Sequence, residues 1–166
     1  IDVLCGHYQA VVDTNQEAID ADQKFVARQG AMNVYTLYRT HNVHFKLYGA
    51  MFLGQSEVAM EAAEEMTSTI PLELLQIKVQ PMADRLEGRF AIKPHALIRF
   101  GKWQEIIEMP LPEDQELFCA TTAVIHYAKG VAYSATGQIA EAEEQQELFL
   151  AALERVPETR FCQNNT

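Results

Sequence analysis

Three stretches of the chain place apolar residues on one side of a helix and polar residues on the other. In residues 56–68 the apolar positions recur every three or four residues, and glutamates fill most of the opposite side. Residues 138–156 show the same pattern, with five glutamates on the polar side. In residues 7–29, single apolar residues alternate with groups of polar residues. Because side chains three and four residues apart share a helix face, the pattern predicts three amphipathic α-helices.

Glycine recurs between these helical segments. Gly6, Gly54, Gly101 and Gly137 each precede an amphipathic or apolar segment, at intervals of about 35 to 48 residues, which is the range of helical-repeat proteins. Eight glycines and six prolines are too few for the closely spaced turns of an all-β fold. The chain is therefore predicted to be all-α, with a helix, a tight glycine turn and a second helix as its repeated unit.

The residues around these glycines resemble the tetratricopeptide repeat family. The best-matching segment is residues 125–157, where four positions carry the family's glycine, tyrosine, turn glycine and small helical residue: Gly130, Tyr133, Gly137 and Ala142. Further matching segments contain Gly54 with Ala59 and Gly101 with Trp103. The resemblance implies antiparallel helix pairs stacked as a right-handed solenoid.

The resemblance also implies how the chain is divided. We expect one array over residues 1–166, with units at approximately 1–30, 34–70, 82–109 and 114–157. The chain begins with Ile1 rather than methionine, so we expect it to be part of a longer solenoid. Residues 72–79 suit a short extra helix, and Pro94 predicts a kink or a helix in two pieces. Pro110 and Pro112 predict an early end to the preceding helix, with the next helix starting near Glu113 and Asp114.

In tetratricopeptide arrays the first helix of each repeat lines a concave surface that binds peptides. The resemblance puts the following positions on that surface: His41, His44, Tyr48, Met51 and Phe52, then Gly88, Ala91, His95, Ile98 and Arg99, then Val124, Tyr127, Val131, Ser134 and Ala135. The side chains expected to contact a ligand are His41, His44, Tyr48, Phe52, His95, Arg99 and Tyr127, since such residues combine contact area with hydrogen-bond donors. The alternative is that the aromatic residues simply pack between helices.

Two functional hypotheses follow. The first is a non-catalytic scaffold that binds a protein or peptide segment without a cofactor. The second is a metal-dependent or acid–base enzyme centred on His41 and His44, because two imidazoles three residues apart on a helix can bind one metal ion. The sequence has no HExxH, CxxC, Walker or GxSxG motif, which favours the scaffold. A third alternative is a structural segment whose ligand-binding region lies outside these residues.

The composition limits the kinds of partner that we expect. The net charge of −10 argues against binding nucleic acid and favours a basic protein partner. No apolar run is long enough for a transmembrane helix, so no membrane partner is expected. The odd cysteine count, three, suits a reducing compartment, and we expect a cytoplasmic protein in which Cys5 is a buried thiol.

Overall fold

The computed structural model describes residues 1–77 and 82–160, and these residues form α-helices and no strands, which confirms the all-α prediction. The helices are α1 (Asp2–Cys5), α2 (Tyr8–Gln29), α3 (Thr36–Leu53), α4 (Ser56–Ser68), α5 (Leu72–Gln76), α6 (Met82–Phe90), α7 (Ile92–Arg99), α8 (Trp103–Glu108), α9 (Cys119–Ala135) and α10 (Ile139–Glu154). None of these helices is long and apolar enough to cross a membrane.

The chain divides into two compact units, Ile1–Ile77 and Lys78–Thr166. Each unit has its own buried apolar residues and is described separately. The expected single array over residues 1–166 stays a prediction.

In the first unit, α3 lies between two helices. Tyr8 near the start of α2 stacks on Phe52 near the end of α3, so these two helices are antiparallel. Arg39 near the start of α3 donates to the Thr69 hydroxyl just after α4, at 2.6 Å, so α3 and α4 are antiparallel as well. The side chains of Gln9 and Gln55 are hydrogen-bonded, which places the starts of α2 and α4 side by side.

Small side chains allow this close packing. A Cβ added at Gly49 of α3 would lie 3.1 Å from the Tyr8 carbonyl oxygen and 3.1 Å from a methyl of Val12. On the other side of α3, α4 packs with an entirely buried stripe of Ala59, Ala62, Ala63 and Met66. The amphipathic pattern of residues 56–68 therefore gives the helix and the buried face that it predicts.

The buried polar groups of the first unit are largely paired. Both carboxylate oxygens of Asp22 accept hydrogen bonds, from the Tyr35 hydroxyl at 2.6 Å and from the Asn42 amide at 2.8 Å. The Arg39 guanidinium donates to the hydroxyls of Thr36 and Thr69. These hydrogen bonds connect the segment between α2 and α3 to α2, and the end of α4 to α3.

In the second unit, α9 is the central helix and packs against α6, α7, α8 and α10. The predicted break near Pro94 is present, since α6 ends at Phe90 and α7 begins at Ile92. The early end before Pro110 is present too, because α8 stops at Glu108.

A buried acidic pair joins α6 to α9 and to the residues after α10. Glu87 is 1% exposed and accepts hydrogen bonds from the Thr121 backbone N–H at 2.7 Å and hydroxyl at 2.6 Å. Among the described residues its second oxygen has no hydrogen-bond partner, and burial raises the pKa of this carboxyl. Asp84, one turn earlier, pairs with the Arg160 guanidinium at 2.7 Å.

The same backbone turn recurs at the four glycines that the sequence singles out. Gly6, Gly54, Gly101 and Gly137 have φ between 65° and 79°. The residue after each glycine donates its N–H to the carbonyl five residues earlier, at 2.9 to 3.0 Å. Only a residue without Cβ adopts this left-handed conformation at low cost, so glycine sets the point at which one helix ends and the next begins.

Three expectations need correction or fall outside the described residues. The helix expected near Asp114 begins at Cys119, because the Asp114 carboxylate accepts the N–H groups of Glu116 and Leu117 and holds a turn there. Cys5 is exposed rather than buried, since α1 buries no residue. The short helix expected over 72–79 spans Leu72–Gln76, and its last two expected positions lie outside the described residues, as does Cys162.

Candidate functional site

Five aromatic or imidazole residues line one face of α3 in the first unit. They are Tyr38, His41, Phe45, Tyr48 and Phe52, and we call them the aromatic stripe. Their spacing alternates between three and four residues, which keeps all five on one side of the helix along its length. The opposite side of α3 is buried through Val43, Leu47 and Ala50.

The rings of the stripe contact one another. The His41 and Phe45 ring centroids are 4.5 Å apart, and those of Tyr48 and Phe52 are 4.7 Å apart. Tyr8 of α2 extends the series by stacking on Phe52 at 4.6 Å with an interplanar angle of 20°. These distances are within the range of favourable aromatic pairs, so the rings hold each other in place.

The stripe stays accessible despite these contacts. Tyr38 is 67% exposed, Phe52 51% and Tyr48 36%. A contiguous row of exposed rings on an ordered helix is typical of a surface that binds another molecule, because isolated exposed apolar residues are common whereas grouped ones are not. Four of the predicted ligand-contacting residues lie here or beside it: His41, His44, Tyr48 and Phe52.

The histidine pair lies against aromatic carbon. The His44 ring meets the edge of Phe45 at 5.9 Å, while His41 packs on the same ring from the preceding turn. In residues 1–77 and 82–160, no group of three or more His, Cys, Asp or Glu side chains is arranged to hold a metal ion. The described residues therefore provide no set of ligands that would support the metal-dependent hypothesis.

A groove of about 680 Å³ lies between α9 and α10 in the second unit. From α9 it is lined by His126, Tyr127, Gly130, Val131, Ser134 and Ala135, and from α10 by Ile139, Ala142, Glu143, Gln146 and Phe149. We call it the α9/α10 groove. Four residues predicted to face a ligand, Tyr127, Val131, Ser134 and Ala135, are among its lining residues.

The two walls of this groove are held at close range. A Cβ added at Gly130 would lie 3.6 Å from the Gln145 Cβ and 3.7 Å from the Ala142 carbonyl oxygen. The His126 Nδ1 atom is 2.9 Å from the Gln145 Oε1 atom, which is an acceptor, so the tautomer protonated at Nδ1 donates this bond. His126 is buried and Gly130 is small, and together they fix the floor of the groove.

His95 and Arg99, the remaining residues predicted to contact a ligand, lie on α7, and His95 is near this groove. His95 and Tyr127 have ring centroids 6.2 Å apart, and Tyr127 is 6.3 Å from Phe149. Burial lowers the pKa of His95, which favours the neutral imidazole. The Arg99 guanidinium lies 5.9 Å from the Phe100 ring centroid and so faces an aromatic ring. The structure thus brings His95 and Tyr127 together within the second unit.

Several members of both surfaces were not predicted from the sequence. Tyr38 continues the spacing of His41, Tyr48 and Phe52 toward the start of α3, and Phe45 fills the gap between His41 and Tyr48. The α10 side of the groove was missed because only first helices were expected to face a ligand.

Comparison of the chain with protein-family models, curated proteins and solved structures gives no match.

Proposed function

We propose that this chain is a non-catalytic protein-binding scaffold built from tetratricopeptide-like helix pairs stacked as a solenoid. Its ligand is a protein or peptide segment that contacts the aromatic stripe. The observation that carries the proposal is the row of largely exposed rings on α3, four of which pack in two pairs, and which presents contact area and hydrogen-bonding atoms on one helix face.

The repeated turn supports the helix-pair part of this proposal. The glycines at 6, 54, 101 and 137 share one backbone geometry, and the fifth residue after each is Val11, Ala59, Ile106 or Ala142. Val11, Ala59 and Ile106 are buried, and Ala142 is half-buried against α9. A turn followed by an apolar contact residue at a fixed distance is the property of a repeated helix pair.

Charge and ring chemistry favour a basic ligand. The chain carries 23 acidic and 13 basic side chains. Lysine and arginine of a ligand are attracted to a chain of net negative charge, and they also bind to the faces of exposed tyrosine and phenylalanine rings. A cytoplasmic location belongs to the same proposal, since it rests on the cysteine usage of the sequence and not on the fold.

Selection from a random peptide library tests the proposal. Twelve-residue peptides displayed on phage are selected on the intact chain, and their dissociation constants are measured by fluorescence anisotropy. We expect the selected peptides to bind the double variant His41→Ala/Tyr48→Ala about tenfold or more weakly than the wild type, because truncating two central contact residues removes a large share of the binding energy.

A matched control comes from the same unit. Leu72→Ala/Ile77→Ala removes two exposed apolar side chains on and after α5, away from α3, and should leave affinities within about twofold. Circular dichroism and urea unfolding of both variants show whether the helices persist. Equal affinities for the wild type and for a folded His41→Ala/Tyr48→Ala variant contradict the proposal.

A further inference from the structure

The α9/α10 groove has the length of a short helix. Its lining positions run from His126 to Ala135 on α9 and from Ile139 to Phe149 on α10. At 1.5 Å per residue, each wall extends about 14–15 Å, which matches roughly ten residues of an α-helix. Two antiparallel helices with a groove between them offer a third helix a place to pack along their length.

The groove is apolar and accessible. Ile139 is 57% exposed and Tyr127 42%, and Val131, Ala142 and Phe149 are each partly exposed. In residues 82–160, α10 packs on α9 and on no other helix to a comparable extent. A side chain inserted from an amphipathic helix would bury these groups, and that burial supplies the main driving force for helix-in-groove recognition.

The charged side chains of α10 are all acidic. Ile139–Glu154 contains five glutamates and neither lysine nor arginine. Glu143 itself lines the groove, and no lysine or arginine is among the lining residues. A partner with lysine or arginine beside its apolar face would therefore meet opposite charge at the groove.

The same charge disfavours a second copy of this chain as the occupant. Two copies related by a twofold axis would bring the same patch together, so that the Glu143 carboxylate of each copy would meet a patch that carries the same negative charge. Like charges placed together at an interface are costly. The chemistry of the groove selects a foreign basic helix over self-association.

We infer that the α9/α10 groove is a second binding surface, which accepts a basic amphipathic helix from a partner protein. The partner helix presents apolar side chains at positions i, i+3, i+4 and i+7 to Tyr127, Ile139 and Phe149. Its flanking lysines or arginines pair with Glu143. The inference does not depend on the aromatic stripe, which lies in the other unit.

Two designed peptides test the inference on the full chain. Both have 14 residues and leucine at i, i+3, i+4, i+7 and i+11; one carries lysine at the remaining positions and the other glutamate. Isothermal titration calorimetry should give a dissociation constant for the lysine peptide at least about tenfold lower than for the glutamate peptide at low salt. The preference should shrink in 0.5 M NaCl, since salt screens exposed charges.

Charge reversal on α10 locates the peptide. Glu143 lines the groove, whereas Glu144 is exposed one residue further along and does not line it. Glu143→Lys should weaken the lysine peptide about tenfold, and Glu144→Lys, with the same change in net charge, about threefold or less. Ser134→Tyr, which fills the groove from an exposed position on α9, should weaken both peptides.

Several outcomes overturn the inference. They are equal affinities of the lysine and glutamate peptides, equal losses for Glu143→Lys and Glu144→Lys, full binding to Ser134→Tyr, and no binding of the lysine peptide at 0.1 mM. The variant His41→Ala/Tyr48→Ala, measured with the same lysine peptide, should bind it as the wild type does. A loss in that variant assigns the peptide to the aromatic stripe and contradicts a separate groove site.

Discussion

Helices α4 and α10 have the same sequence design and opposite environments. Each begins two residues after a glycine with left-handed φ, and each alternates small or apolar residues with glutamates. In α4 the residues Ala59, Ala62, Ala63 and Met66 are completely buried. In α10 only Ala152 is buried, while Leu150 and Leu153 are each 51% exposed.

The two helices differ in their contacts. Each packs mainly on one helix, α4 on α3 and α10 on α9, but hydrogen bonds from Gln55, just before α4, to Gln9 and from Gln23 to Glu65 also join α4 to α2. The amphipathic pattern therefore sets which face of a helix is apolar, and the surrounding residues decide whether that face is buried. The exposed part of the apolar face of α10 remains available for binding.

Truncating the buried face of α4 should have the largest effect. Met66→Ala removes a fully buried side chain and should lower the free energy of unfolding by about 2–5 kcal/mol. Leu153→Ala on half-exposed α10 should cost about 1 kcal/mol or less. Urea titration followed by circular dichroism measures both variants. Equal losses would show that α10 has a buried face as extensive as that of α4.

Enlarging the contact residue after each turn sharpens the comparison. Ala59 and Ala142 both lie five residues after the turn glycine. Ala59→Leu overfills a fully buried site and should cost about 1–3 kcal/mol. Ala142→Leu extends into the groove and should cost less than about 1 kcal/mol. Thermal unfolding shows which of the two variants loses more stability. A larger loss of stability for Ala142→Leu than for Ala59→Leu contradicts the account.

The turns themselves should behave alike, because their backbone geometry is shared. Gly54→Ala and Gly137→Ala introduce a Cβ at φ of 72° and 79°, and in the described part of the chain no atom beyond the adjacent residues lies within 4 Å of it. Only backbone strain is added, so each variant should lose about 1–2 kcal/mol. Chemical unfolding of the pair tests this, and clearly unequal losses would mean that the turns are not equivalent.

The smallest effect concerns buried carboxylates, which also differ between the units. Asp22 has both oxygens paired, whereas one oxygen of Glu87 has no partner in residues 1–77 and 82–160, and burial raises the pKa of Glu87. The folded state then keeps the Glu87 proton at a pH where the unfolded chain has lost it. Stability should therefore fall as pH rises from about 4.3, the ordinary glutamate pKa, through the raised value.

Glu87→Gln isolates this contribution. The amide oxygen can still accept both hydrogen bonds from Thr121, while the buried charge is removed. We expect the variant to lose the pH dependence in that window and to be slightly more stable than the wild type at pH 7. Urea unfolding from pH 4 to 8 measures it. A variant less stable than the wild type at pH 7 would show that the ionised carboxylate is favourable in the fold.

Local features of the fold were predictable from the sequence. The helix over 56–68 was predicted with its observed bounds, and the helix over 138–156 is observed as Ile139–Glu154. The glycine turns and the division between α6 and α7 follow from backbone preferences of single residues. The turn at Asp114 was missed because a carboxylate favours a helix start and an isolated turn equally well.

The candidate surfaces were only partly predictable, because exposure depends on neighbouring helices. His41, Tyr48 and Phe52 were placed on a binding face from a resemblance, and the spacing of Tyr38 and Phe45 would have completed the stripe. The exposure of the apolar face of α10 could not be predicted from its amphipathic pattern, since α4 has the same pattern and its apolar face is buried. The pairing of Glu87 with Thr121 joins positions 34 residues apart and leaves no local signal.

Photo-crosslinking tests most directly the central claim that the aromatic stripe binds a protein segment. p-Benzoylphenylalanine replaces Tyr38, the more exposed of the two tyrosines of the stripe, or, as a control, the exposed Leu72 of α5. Each protein is irradiated with the library-selected peptides, and the products are mapped by mass spectrometry. The account predicts crosslinks from position 38 that are several times more abundant than those from position 72. Equal yields, or crosslinks from position 72 alone, would contradict it.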